Sequence, residues 1–334
     1  MLSYVVKRLL LLIPVILGIT VMTFIISRVI PADPAQVAAG LEAGREQVEA
    51  LRIEMGLDKP LLTQFWIYIS GLLRGDLGRS MRTRRPVLED IKRLLPATVE
   101  LAALTMVLYV LIGVPIGILT ATMPGKAIDL ISRILSILGT AMPVFWVGLL
   151  LQILFYGKLQ WLPAIGRIGA DVPPPTHITG LYLIDSVLTA NWGALASSVK
   201  HLLLPTFTLV LGRLAVAVRL TRASMLDVLT RDYIRFARAK GLPERTVVMR
   251  HALKNALVPI LTIVALQFAW LLGGTVLVEY IFTWPGIGQY AVVSILHIDY
   301  GPIMGIAVFS AIVFTLTNLV VDLLYCAVDP RIQM

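Results

Sequence analysis

Long apolar blocks alternate with polar stretches along this chain of 334 residues. A helix needs about 20 residues to cross a bilayer. Six blocks come to about that length, at 9–30, 98–122, 134–156, 202–220, 257–280 and 304–328. Each is continuously apolar rather than alternating, which predicts helices and not the strands of a closed barrel. The expected fold class is all-α: a polytopic membrane protein with six transmembrane helices. The first block follows Lys7 and Arg8, as a secretory signal would. It runs for 22 residues, however, lacks a small-residue cleavage site and closes on Arg28, Pro31 and Asp33, so 1–30 is expected to be an uncleaved first span.

Between the first two blocks, 31–97 reads as a small external helical domain. Residues 46–55 are good helix formers stopped by Gly56. Leu61, Leu62, Phe65, Trp66, Ile69, Leu72 and Leu73 then repeat at helical spacing. That apolar face is expected to pack against the first span or a neighbouring subunit, and Gly75-Asp-Leu-Gly78 breaks the helix. The stretch 98–328 forms the membrane core. Within it, 158–200 is a mixed loop in which Pro173, Pro174 and Pro175 forbid a regular helix. Trp161, Tyr182 and Trp192 are suited to anchoring at the membrane–water interface.

Composition agrees with the pattern: 57% of residues are hydrophobic and 15% charged, against roughly 25% charged in soluble domains. The net charge of +9 has an explanation that needs no nucleic acid. Short cytoplasmic loops are rich in Lys and Arg. Lys7 and Arg8, Lys126 and Arg133, nine basic residues from Arg219 to Lys254, and Arg331 all fall on one side. Residues 281–303 hold no Lys or Arg. Both termini are therefore expected in the cytoplasm. The single cysteine, Cys326, allows no internal disulfide. There is no P-loop for ATP, and His177, His201, His251 and His297 lack ligand spacing. No catalytic residue, metal site or cofactor is expected on this chain.

The loop between blocks four and five has a distinct layout. Arg235, Arg238 and Lys240 cluster where a helix would end, favourable against its dipole. Gly241 is the residue type that ends a helix in a left-handed conformation, and Pro243 with Glu244 suits the first turn of a new one. Met225, Val228, Leu229, Tyr233 and Phe236 share helical spacing before the corner. Such a helix–Gly-Leu-Pro–helix corner reads equally as a lever for a partner's motion or as a basic loop that fixes orientation.

Resemblance tips that balance. Phe236-Ala-Arg-Ala-Lys-Gly241 resembles the EAA loop of binding-protein-dependent ABC importer permeases. Arg74-Gly-Asp-Leu-Gly-Arg-Ser80, Pro86-Val87, Pro96-Ala-Thr-Val-Glu-Leu-Ala102, Ala141-Met-Pro-Val-Phe-Trp146, His201-Leu-Leu-Leu-Pro205, Ile281-Phe-Thr-Trp-Pro-Gly-Ile-Gly288 and Val321-Asp-Leu-Leu-Tyr325 resemble the dipeptide/oligopeptide/nickel permease family. The likeness is strongest to the B-type permease of dipeptide systems and covers essentially the whole chain. It departs where Arg235-Phe236-Ala237 replaces Glu-Ala-Ala, and where Leu253 and Lys254 stand in place of a Leu-Pro pair.

The resemblance implies a type I ABC importer permease fold in a bacterial cytoplasmic membrane. It implies a second permease, two ATPase subunits that carry ATP and Mg²⁺, an external substrate-binding protein and the bilayer as partners. The cargo implied is a peptide, with nickel chelates, opines, glutathione or oligosaccharides as alternatives. The coupling loop, 223–256, would sit in a groove on an ATPase subunit. Ala237 and Gly241 would allow close approach, Leu242 would fill a socket, and Lys240, Glu244 and Arg245 would make rim contacts. An ion-coupled secondary transporter is the rival class, but no internal repeat supports it.

Charges inside the apolar blocks are costly and need partners. Arg213 is a candidate to attract a substrate carboxylate, or to form a structural pair. Glu279, just before Trp284, is a candidate for a substrate amine or for solvation at the interface. Asp322 is expected to hydrogen-bond a neighbouring helix or loop.

Overall fold

The computed structural model describes residues 2–29, 34–40 and 43–328, with backbone alone at 2–9, 12, 28, 29, 34, 37, 38, 140, 269, 272–274 and 321–328. The expectations for Lys7, Arg8, Arg28, Pro31, Asp33, Asp322, Cys326 and Arg331 therefore lie outside the described side chains. The described residues are helical and hold no strand. In chain order they begin with α1 (Leu2–Val29), α2 (Pro34–Ala39), α3 (Arg45–Glu54), α4 (Leu61–Leu73) and α5 (Val87–Thr122). Next come α6 (Ala127–Ala141), α7 (Val144–Leu151) with a π-helical extension to Lys158, α8 (Tyr182–Leu188), α9 (Trp192–Leu229) and α10 (Asp232–Ala239). A single turn, α11 (Glu244–Thr246), leads through a π-helix (Val247–Ala252) into α12 (Leu253–Gly274), and α13 (Val276–Ile281), α14 (Ile287–Leu296) and α15 (Tyr300–Val328) complete the series.

Among the described residues, four helical stretches are long and apolar enough to cross a membrane: Val87–Thr122, Trp192–Leu229, Glu244–Phe268 and Tyr300–Val320. A fifth is added if Ala127–Gly139 and Val144–Lys158 form one span. This pair corrects the straight helix expected over 134–156, because it is bent by 103°. Pro143 is the cause. A residue before proline is pushed into extended backbone, and Met142 has φ −86° and ψ 129°. The chain then restarts, with the Trp146 and Val147 N–H groups donating to the Pro143 carbonyl. The expected fifth block is likewise divided at Thr275, between α12 and α13. The fourth begins ten residues before 202, because the Asn191 side chain caps the helix by accepting from the Ala194 N–H at 3.0 Å.

The chain forms two compact units, Met1–Thr98 with Pro285–Leu316, and Val99–Trp284 with Thr317–Met334. In the first, the apolar repeat of α4 packs on one side only. Phe65 and Tyr68 meet Phe24 of α1 at ring distances of 5.2 and 6.2 Å, while Leu61, Leu62, Trp66 and Leu73 remain exposed. The helix ends where expected, at Gly75 with φ +80°.

Beyond α4 the chain bends into a hydrogen-bonded hook. Asp299 accepts from the Ser80 hydroxyl at 2.6 Å and from the Met81 and Arg82 N–H groups at 3.0 and 3.2 Å. Asp90 accepts from Thr83 Oγ1 and the Tyr290 hydroxyl at 2.6 and 3.0 Å. Beneath the hook, Val87, Ile91, Ile287, Tyr290 and Ile306 form an apolar core. Gly301 permits the hook's close approach: a Cβ there would lie 2.1 Å from the Arg79 carbonyl oxygen.

The second unit is built around α9, against which α6, α7, α8 and α12 pack. A close seam joins α5 to α9. A Cβ on Gly113 would stand 2.5 Å from that of Ala217, and one on Gly117 would stand 2.5 Å from that of Thr221. Two glycines four residues apart, facing two small residues four apart, let helix backbones meet closely. In a bilayer that packing is a main source of helix association.

Candidate functional site

The corner after α9 forms for local reasons. Arg231 is extended, and Asp232 places a carboxylate in the first turn of α10. The helix closes with a Schellman motif: the Gly241 N–H donates to the Arg238 carbonyl at 2.9 Å, and the Leu242 N–H to the Ala237 carbonyl at 3.4 Å. Gly241 has φ +76°, a conformation that is inexpensive only for glycine. Pro243 then opens α11, its carbonyl accepting from Thr246 and Val247. Arg238 spans the corner and donates two hydrogen bonds to Glu244, at 2.6 and 3.0 Å. Both side chains are substantially exposed, so the pair adds geometry more than stability.

Apolar packing supplies the firmer hold. Ile234 and Ala237 of α10 are buried with Met225 and Val228 of α9, Val247, Val248 and Ala252 of the π-helix, Ala256 and Ile260 of α12, and Ala121 at the end of α5. Displacing the corner therefore displaces the ends of three long helices.

This arrangement sorts the expected coupling residues. Lys240, Gly241, Leu242, Glu244 and Arg245 all lie on the exposed side, and nothing stands within 4 Å of a Cβ built on Gly241. Ala237 does not join them, which corrects its expected place. It is 6% exposed, and its small side chain brings α10 close to the chain's own π-helix. The apolar repeat also divides, because the turn at Thr230 and Arg231 breaks its register. Met225 and Val228 point inward, while Tyr233 and Phe236 are exposed. The Lys240 ammonium lies 4.5 Å from the Phe236 ring, making a mixed cationic–aromatic surface.

The membrane charges have partners. Arg213 donates to Gln267 of α12 at 2.7 Å, and its guanidinium carbon is 5.9 Å from the Trp270 ring. Glu279 corrects the expectation of interfacial solvation: it is fully buried and accepts from Thr275 Oγ1 at 2.8 Å. The Glu279 carbonyl accepts from the N–H of Trp284, itself fully buried.

Two polar clusters depend on residues distant in sequence. Arg167, from the loop after α7, donates to Glu100 of α5 at 2.7 and 3.0 Å and to the Gly180 carbonyl at 2.8 Å. It also stacks on Tyr182, 3.7 Å from the ring centroid. Glu100 accepts in turn from the Leu183 N–H at 2.7 Å. Nearby, Asp185 receives the Ile178, Thr179 and Gly180 N–H groups and the Thr179 hydroxyl. Burial pushes its pKa up, but these bonds outweigh it and hold the carboxyl below its ordinary value. In the second cluster, Asp129 of α6 accepts from Arg133 and from Arg222 of α9, each through two nitrogens.

Residues 113–334 match the family described as binding-protein-dependent transport system inner membrane component. Residues 1–102 match its N-terminal counterpart. The chain belongs to this family. The permease is 47% identical over 318 residues to the probable D,D-dipeptide transport system permease protein of Escherichia coli K12, covering 95% of this chain and 94% of that one. It is 44% identical to the dipeptide transport system permease protein of Alkalihalophilus pseudofirmus over the full length of both. It is 40% identical to the glutathione transport system permease protein of Escherichia coli O6:H1, over 100% of this chain and 99% of that one. Within the permease, the corner at Gly241 and the hook at Ser80 both fall in stretches that the two full-length matches cover.

Proposed function

We propose that this permease forms half of a membrane pathway that carries di- and oligopeptides into the bacterial cytoplasm. The observation that carries the reading is the corner. Its exposed side offers Phe236, Lys240, Leu242 and Arg245, and its buried side is welded to α5, α9 and α12. Such a part suits an external engine: closure of two ATPase subunits would pull the corner and tilt the long helices between inward- and outward-facing states. ATP and Mg²⁺ belong to those subunits, and this chain takes no catalytic part. A related permease supplies the other half, and an external binding protein delivers the cargo. Both termini and the corner lie in the cytoplasm, in keeping with the loop charges. α1 and the bent α6–α7 pair complete six crossings. Glutathione, itself a tripeptide, is a second reading favoured by the relative of that name.

The test is ATP-dependent uptake of a labelled dipeptide by the assembled importer in vesicles. Leu242→Glu or Gly241→Val is expected to cut uptake about tenfold, the equivalent of about 1.4 kcal/mol of lost coupling, and to reduce ATPase co-purification. Normal uptake and co-purification in both variants would refute the corner's role. Dipeptide movement by this chain alone on an ion gradient would instead establish a secondary transporter.

Arg213 would meet a peptide carboxylate by exchanging its bond to Gln267. Arg213→Ala is expected to slow uptake several-fold while membrane insertion is unchanged. Wild-type uptake in that variant would remove Arg213 from the pathway.

A further inference from the structure

Two cavities adjoin between α6 and α9. The deeper, about 310 Å³, is walled chiefly by apolar side chains, among them Ile116, Leu135, Leu138, Met142, Leu211 and Leu214. The outer, about 350 Å³, is lined by Arg133, Arg219 and Arg222. The two share Ser132, Ser136, Ala215 and Val218 as walls, so an apolar space adjoins a basic one.

The charge at the basic end is unbalanced. Asp129 serves both Arg133 and Arg222, and Arg219 makes no ion pair among the described residues. Three cations thus stand against one carboxylate. The apolar end is large against the roughly 30 Å³ share of one water in liquid. Its walls offer water few partners, and left unfilled they forfeit packing contacts. An occupant that satisfies both ends must carry a flexible hydrocarbon and an anionic head.

We propose that this wedge binds an anionic phospholipid, with an acyl chain between α6 and α9 and the headgroup phosphate on Arg219 beside the Asp129-held pair. Basic pockets between transmembrane helices suit such headgroups. The proposed orientation of the chain puts the headgroup in the cytoplasmic leaflet. Lipid retention itself depends neither on that orientation nor on the nature of the cargo.

The experiment uses the assembled importer in detergent, loaded with phosphatidylglycerol or phosphatidylethanolamine and read by native mass spectrometry. Phosphatidylglycerol is expected to survive a wash that removes phosphatidylethanolamine. Arg219→Ala should lower its occupancy about fivefold, Arg219→Lys should restore most of it, and Arg231→Ala, at an exposed arginine outside the cavity, should change nothing. A phosphatidylglycerol with a photoreactive acyl chain should label α6 or α9 near Leu138 or Leu211; this arm decides if the Arg219 variant fails to assemble. Equal retention of both lipids, undiminished occupancy in an assembled Arg219→Ala complex, or labelling confined to other helices would overturn the proposal. Crosslinking of Leu135→Cys to the second permease would give the wedge to that subunit, and displacement of the lipid by dipeptide would give it to the cargo; either result also overturns it.

Discussion

Gly301→Val should leave the first unit unable to close its hook. Even the Cβ would sit 2.1 Å from the Arg79 carbonyl oxygen and 2.9 Å from its carbon. These are backbone atoms, so no rotamer change relieves the clash, and the hook or the start of α15 must move. Overpacking typically costs roughly 1–3 kcal/mol, and here a second loss is added. A displaced hook pulls Ser80, Met81 and Arg82 away from Asp299, leaving a carboxylate that is 3% exposed without its donors. Buried groups deprived of partners cost about 1–3 kcal/mol more. The expected result is a marked fall in thermal midpoint of the purified importer, with rapid proteolysis at Arg79, Arg82 or Arg84. Gly44→Ala is the control, because nothing lies within 4 Å of its Cβ; it should fall within about 0.5 kcal/mol of wild type. Wild-type protease resistance in Gly301→Val would show that the close approach carries no weight.

Arg167→Met should be the most damaging single change in the second unit. It strands Glu100, whose side chain is 4% exposed, with one backbone donor. Breaking one side of a buried ion pair costs about 3–5 kcal/mol, whereas replacing both sides by neutral groups is often tolerated. The double variant Glu100→Gln/Arg167→Met should therefore be more stable than Arg167→Met alone, since a glutamine oxygen still accepts from the Leu183 N–H. Hydrogen exchange at Thr179, Gly180 and Leu183 gives the readout: fast in the single variant, partly protected in the double. Equal exchange in the two would mean that burial of a lone charge is not what the arginine prevents.

These two sites show where sequence reading stops. Continuous apolar blocks carry their own signal, so the long helices could be read directly, as could the Schellman corner, whose Gly241 and Pro243 act on their immediate neighbours. Pro143 offered an equally local signal, and weighing its effect on Met142 would have revealed the bend. Asn191 marks the start of α9 despite the polar residues after it. No such cue exists for Arg167 with Glu100 or Ser80 with Asp299, because their partners lie 67 and 219 residues apart. Glu279 differs: its partners Thr275 and Trp284 are near in sequence, but the turn beside it suggests water, and only the tertiary fold shows that both Glu279 and Trp284 are buried. The outward place expected of Ala237 rests on the resemblance alone, and no spacing in the sequence tells that its side chain faces the chain's own π-helix.

The seam between α5 and α9 limits how a stroke at the corner can travel. With Gly113 against Ala217 and Gly117 against Thr221, the two helices are notched together at both positions. A slide of one along the other would drive the Thr221 methyl into the α5 backbone, so translation is blocked while shared pivoting remains free. If the proposed stroke at the corner occurs, α5 and α9 would move as a single spar, and Arg213, one turn before Ala217 on that spar, would swing through an arc with it. Under the proposed coupling, the motion delivered to the cargo would be angular, with a reach set by how far along the spar each side chain stands from the corner.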